Sequence, residues 1–390
     1  MITNFKTNLY NTAGNASDFG DLFIPRALFS DGGLWLWGRG TNGQLGDNTV
    51  ANKSSPVQTV SGGNNWKLVA GGVYHTAALK TDGTLWSWGR GTNGNLGDNT
   101  IVSKSSPVQT VSGGTNWKLV SGGYMYTAAI KTDGTLWTWG INTDGRLGNN
   151  TITDKSSPIQ TVSGGTNWKS LSCAYGGMAS IKTDGTLWLW GRNAYGQCGN
   201  NSITPRSSPV QTVSGGTNWK SVDYGLAHCA AIKTDGTLWT WGQGTNGQLG
   251  DSTLANKSSP VQTVSGGTNW KLVASGFYHT AAIKTDGTLW AWGSNINGQL
   301  GNNAITAISS PVQTVSGGTN WKLIDAGGYN TSCIKTDGTL WLWGKNGYGQ
   351  LGDNTTANKS SPVQTVSAGT NWNLLGCGTY HSAAIKDDNF

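Results

Sequence analysis

The apolar residues of this chain are gathered into short segments, and Gly, Pro, Asn and Ser clusters separate one segment from the next. Between Thr84 and Lys131 four such segments read as extended: Thr84–Gly89, Ser106–Ser112, Trp117–Ser121 and Tyr126–Lys131. No stretch places apolar residues at i, i+3, i+4 and i+7 over helical length, so the pattern predicts strands and almost no helix. After the fourth segment stands Thr-Asp-Gly, where glycine supplies the positive φ of a tight hairpin into the next apolar segment.

The whole pattern then returns. The string LWxWG begins at Leu34, Leu85, Leu136, Leu187, Leu238, Leu289 and Leu340, always 51 residues apart. Seven periods fill Leu34 to Phe390 and leave residues 1–33 as a non-repeated leader. KTDGT recurs unchanged six times, from Lys80 to Lys335, and each period carries three tryptophans, two in LWxWG and one in NWK or NWN. Four short strands cannot bury both faces alone, and a unit of this length repeated seven times buries them by stacking around an axis. The expected fold is all-β, a seven-bladed propeller of four-stranded blades occupying residues 34–390.

Composition narrows the function classes. Charged residues are 12% and hydrophobic residues 36%, which excludes charge-driven disorder and a coiled coil. The 60 glycines never recur every third residue, which excludes collagen. A formal charge of +7 is too modest for this length to indicate nucleic acid as a partner. No run of 18 apolar residues exists, so no membrane insertion is expected. The leader lacks a basic segment followed by a continuous apolar core, which argues against a secretory signal. Five cysteines, Cys173, Cys198, Cys229, Cys333 and Cys377, form no CxxC pair and read as small core fillers.

Trp292–Gly301, WGSNINGQLG, and Gly276–Gly287, GFYHTAAIKTDG, resemble the regulator of chromosome condensation repeat, and the resemblance covers Leu34 to Phe390. It implies that each blade runs from axis to rim as the NWK strand, the YHTAAIK strand, the LWxWG strand and the SSPVQTV strand. The chain enters on the third of these and ends on the second, so the closing blade should be shared between the N- and C-terminal strands. That closure removes an open sheet edge.

Candidate chemistry is sparse. His75, His228, His279 and His381 all fall at one repeat position, with Tyr126, Gly177 and Asn330 as the remaining equivalents. No acid recurs beside them, so they read as structural. Asp82, Asp133, Asp184, Asp235, Asp286 and Asp337 sit in one hairpin turn, whose chemistry explains them. NGQLGDNT is glycine-rich but lacks the GK[ST] and helix of a phosphate loop. Lysines such as Lys67 and Lys53 recur once per blade and read as a solvated rim. No catalytic residue, cofactor or metal is expected, and the protein is read as not an enzyme.

The informative contrast lies between loops. KTDGT and SGGTN share one face of the disc and scarcely change, while the loops of the other face differ from copy to copy. There Tyr74, Tyr124, Tyr126, Tyr175, Tyr224, Phe277, Tyr278, Tyr329 and Tyr380 stand among Gly and Ser, the composition of an adaptable recognition surface. In the leader Phe19, Leu22, Phe23 and Ile24 are apolar with no place in the repeat, which suits an anchoring arm.

Near-identical blades and the phrase SSPVQTVSGGTNWK resemble members of the family found in tailed phages. The resemblance implies a non-enzymatic virion component, a tail, baseplate or capsid-decoration protein assembled in the host cytoplasm. It would bind other virion proteins through the leader and a host surface protein or glycan through the varied face. The alternatives are a propeller-type enzyme inhibitor and a guanine-nucleotide exchange factor-like protein, although seven equal periods leave no blade-specific insertion for exchange.

Overall fold

The computed structural model describes residues 32–387 apart from 163, 316 and 368. Among them every regular element is a strand, arranged as seven four-stranded antiparallel sheets. One blade runs Trp66–Gly71, His75–Lys80, Leu85–Gly89 and Lys104–Gln109 from axis to rim. The expected axis-to-rim order therefore holds. The rim strand begins and ends earlier than the apolar pattern predicts, because Val111 leaves the sheet and its N–H donates to the Gly97 carbonyl (2.9 Å) in the neighbouring loop. Each rim strand contains a proline, such as Pro107, tolerated because the outer edge needs no further ladder partner.

The closing blade is ordered Lys53–Gln58, Gly33–Gly38, His381–Lys386, Trp372–Leu375. Gly33 to Gly38 pair in unbroken register with Lys386 to His381. Two strands from each end of the chain thus complete the ring, as the entry point of the repeat requires.

Tryptophan joins blade to blade. The second indole of each LWxWG is fully buried and packs on the inner-strand tryptophan with the two planes steeply inclined, as Trp88 does on Trp66 at 62° with centroids 6.0 Å apart. Its Nε1 donates across the interface to a backbone carbonyl of the preceding blade. Trp88 reaches Gln44 O at 2.9 Å, and Trp37 reaches Gln350 O at 2.9 Å across the seam. Gly46, at φ +66°, lies under this indole, where an added Cβ would come within 2.7 Å of Trp88 Nε1. The turn therefore demands glycine for its backbone and for its space.

A second set of latches uses the histidines. His75 Nε2 meets Thr127 Oγ1 of the next blade at 2.8 Å, and His381 meets Thr76 across the seam at 2.8 Å. His228 and His279 make the same contact with Thr280 and Thr331. Each threonine hydroxyl spends its single hydrogen on a loop carbonyl, Thr76 on Gln44 O and Thr127 on Asn95 O. Each histidine must therefore donate from Nε2, which fixes the neutral tautomer. Burial holds His75 down to about 4 and the other three to about 3.

Candidate functional site

The varied loops do share a face. The backbone N–H after each WG donates to the loop before the histidine position, as Arg39 does to Tyr380 O and Arg90 to Tyr74 O, both at 2.9 Å. Below this face the inner strands line an axial channel of about 160 Å³. Asp223 and Asp325 lie in its wall. Ser172 Oγ donates to Asp223 at 2.7 Å, Ser275 N donates to its other oxygen at 2.5 Å, and Cys377 N donates to Asp325 at 2.6 Å. These bonds stitch one inner strand to the next. Burial pushes Asp223 up to about 7 and Asp325 up to about 6. Among the described residues no three His, Cys or acidic side chains gather as a metal site.

The aromatic residues divide into two groups. Tyr126 and Tyr224 are buried, so the structure corrects their expected place on a recognition surface. Tyr126 occupies the histidine position, and its hydroxyl donates to Gly177 O at 2.5 Å and accepts from Ala174 N at 3.2 Å. Tyrosine reaches further than histidine, and the next blade answers with Gly177 at the same position. Tyr224 fills the space left there, its ring and hydroxyl standing where a Cβ on Gly177 would be. Both are core residues because a shorter side chain at one blade makes room for a longer one from its neighbour.

The other seven form a continuous arc around the channel mouth, all of them half-buried. Tyr380 contacts Tyr74 (centroids 5.8 Å), Tyr74 contacts Tyr124 (6.0 Å), and Tyr124 packs against Tyr175 at 4.3 Å. Tyr175 reaches Phe277 at 6.2 Å, passing the one blade whose loop carries Leu226 instead of an aromatic. Phe277 then meets Tyr278 and Tyr329. Tyr348, from a loop joining third and rim strands, adds an eighth ring beside Tyr380 at 5.7 Å.

Cations interleave with the rings. Arg39 lies over Tyr348, Tyr380 and Tyr74 at 5.3, 5.4 and 5.6 Å, Arg90 over Tyr74 at 5.5 Å, and Lys345 over Tyr329 at 4.9 Å. These residues and Arg192 occupy the position directly after WG. That position is Ile141, Gln243 and Ser294 in the other blades, so the charge is not dictated by the fold. Acids on the same face are already engaged. Asp47, Asp98, Asp251 and Asp353 pair with the lysine six residues on, Asp144 pairs with Arg146, and Asp154 accepts from Asn142 N. Among the described residues no ion pair reaches Arg39, Arg90, Arg192 or Lys345. Toward the rim the same loops expose one aliphatic in six of the seven blades, Val50, Ile101, Ile152, Ile203, Leu254 and Ile305, each more than 60% exposed, with Thr356 at the seventh equivalent.

Sequence reasoning found seven of the eight rings and missed the cations and Tyr348. The signal was present as the variable residue after WG. The expected anchoring residues Phe19, Leu22, Phe23 and Ile24 lie outside the described residues. The six hairpin aspartates are where the turn reading placed them, each carboxylate accepting from the N–H and hydroxyl of the threonine two residues on, as Asp82 does from Thr84.

Residues 102–390 match the family model of the RCC1-like domain, and residues 31–79 and 66–95 match models of the regulator of chromosome condensation (RCC1) repeat. The ultraviolet-B receptor UVR8 of Arabidopsis thaliana is 29% identical over 341 residues, 83% of this chain and 75% of that protein. The E3 ubiquitin-protein ligase HERC2 of Homo sapiens is 28% identical over 373 residues, 90% of this chain but 8% of that much longer protein. Among solved structures, Prp20p from Saccharomyces cerevisiae superposes with a TM-score of 0.81 at 19% identity, covering 92% of both chains. Human WBSCR16 gives the same score and identity over 92% of this chain and all of that one. Identities this low show a shared fold.

Proposed function

The chain belongs to the RCC1-like family of seven-bladed propellers, and from that premise we propose that it is a non-enzymatic binding protein whose aromatic face receives a macromolecular partner. The observation that carries this reading is the arc of eight contacting rings on the face whose loops differ most between otherwise near-identical blades. Fold stability does not require those rings, since their repeat equivalents include Gly176 and Ala227. Tyrosine and arginine among small residues supply large contact area at low entropic cost, the composition of interface hot spots.

The setting we propose is a virion surface, with the leader holding the disc to other virion proteins and the aromatic face turned to a host surface protein or glycan. This part rests on the near-identical repeats and the non-repeated leader alone. Two measurements test the reading. Mass spectrometry of purified particles should find the chain at fixed copy number, and its absence rejects the virion setting. Replacing Tyr74, Tyr124, Tyr278 and Tyr329 by serine should leave the melting temperature within a few degrees while abolishing attachment to host cells. Attachment that survives the four substitutions rejects the aromatic face.

A further inference from the structure

Arg39 and Arg90 come from loops of adjacent blades and lie over one and the same ring, each guanidinium about 5.5 Å from the Tyr74 centroid. Each is steadied by a single bond from Nε, to Thr41 Oγ1 at 2.8 Å and to Thr92 Oγ1 at 3.1 Å. The terminal nitrogens of both face outward without an acceptor among the described residues. Two like charges beside one aromatic ring repel each other, and among the described residues no carboxylate pairs with either. The fork of an arginine matches a carboxylate in plane and spacing, and a pair of forks held by aromatic packing is pre-organised for an oxyanion between them.

We propose that the Arg39–Arg90 pair over Tyr74 is a seat for side-chain carboxylates of an acidic protein docked on the aromatic face. This deepens the reading of that face as the binding face and rests on it. Three observations choose the occupant. The guanidiniums already cover the π-faces of Tyr74, Tyr348 and Tyr380, which removes them as platforms for stacking a sugar ring. The exposed aliphatics Val50 to Ile305, carried by loops of the same face in six of the seven blades, suit the apolar patches of a protein surface. A second copy docked face to face offers no match, because the acids that the described residues place on this face are engaged within their own loops.

The test uses fluorescent poly-L-glutamate as probe, with alginate as the polysaccharide carrying the same anion. The full chain should bind polyglutamate, and R39Q/R90Q should weaken it at least tenfold. K271Q/K322Q, with the same charge loss at the opposite end of the inner strands, should change it less than twofold. R39K/R90K keeps the charge but loses the forks, and should weaken binding several-fold with the melting temperature unchanged. Equal losses from the two Gln pairs, or full binding by the Lys pair, overturn the seat. Alginate binding more tightly than polyglutamate, and losing that binding in R39Q/R90Q, overturns the protein occupant. The broader reading fails separately, on the four-tyrosine variant. Should R39Q/R90Q not fold, the unmodified protein still decides: affinity that does not fall as salt rises from about 50 to 200 mM overturns the seat.

Discussion

The four histidine latches should make stability fall with acid in a way that four asparagines reverse. In the folded ring each imidazole is buried and neutral, held to about 3 or 4 against an ordinary value of 6.5. A depressed histidine contributes stability that is complete above pH 6.5 and is lost as pH falls toward the folded value, because only the unfolded chain takes up the proton. At pH 5 the loss is about 2 kcal/mol per histidine, roughly 8 kcal/mol for four. Asp223 and Asp325 act in the opposite sense. Their folded values lie near 7 and 6, so the folded state takes up protons first and gains stability as pH falls to 5. Their channel position screens that gain to about 2–3 kcal/mol together. The hairpin aspartates are held low by their threonine bonds and titrate below this window. The native chain should therefore lose about 5 kcal/mol between pH 7 and 5, whereas H75N/H228N/H279N/H381N should gain a few. Asparagine already serves this position at Asn330, which is buried. Urea unfolding followed by tryptophan fluorescence at constant ionic strength measures both slopes. Parallel curves for the two proteins would refute the argument, and so would imidazole nitrogen spectra showing the proton on Nδ1.

Deleting His381 onward removes the strand that joins the two chain ends, and circular dichroism with size-exclusion chromatography should show loss of the folded monomer. Gly46→Ala forces a left-handed backbone and a 2.7 Å approach to Trp88 Nε1; a loss of about 2–4 kcal/mol in urea titration is expected. Tyr126→Phe removes the hydroxyl that bonds to both Gly177 O and Ala174 N, which stay paired with each other at 3.1 Å, and should cost about 0.5–1.5 kcal/mol without changing partner attachment. Trp37→Phe breaks the bond to Gln350 O at the seam and leaves a void, which should cost about 2–4 kcal/mol.

Fold and ring size were legible because the 51-residue period repeats every strand and turn seven times, and periodicity survives local ambiguity. Strand ends were less so, since Val111 leaves the sheet for a loop carbonyl that lies near it only in three dimensions. The aromatic site was half legible. Composition located Tyr74, Tyr124, Tyr175, Phe277, Tyr278, Tyr329 and Tyr380, but could not separate them from Tyr126 and Tyr224. Tyr126 stands at the histidine position and Tyr224 ends an inner strand, and both are buried where Gly177 of a neighbouring blade leaves room. The cations were hidden for the opposite reason. Each is an ordinary loop residue until Arg39 and Arg90, 51 residues apart, are seen over the same ring.

The pairing of Gly33–Gly38 with His381–Lys386 also dictates when the molecule can finish folding. Ladder partners some 350 residues apart make this the longest-range strand pairing among the described residues, and bringing its ends together costs about (3/2)RT ln n, near 5 kcal/mol. During synthesis six blades can assemble in order from local hairpins while the third strand of the seventh waits with one edge unpaired. Its complement, HSAAIK, emerges from the ribosome only after the strands of all six other blades. Six other copies differ from it by one to four residues, so a strand from an earlier period or from a neighbouring chain can compete for the same edge. Closure of this blade is then the slow and error-prone step of folding, and refolding yield should fall with protein concentration while the folded ring, once shut, unfolds slowly.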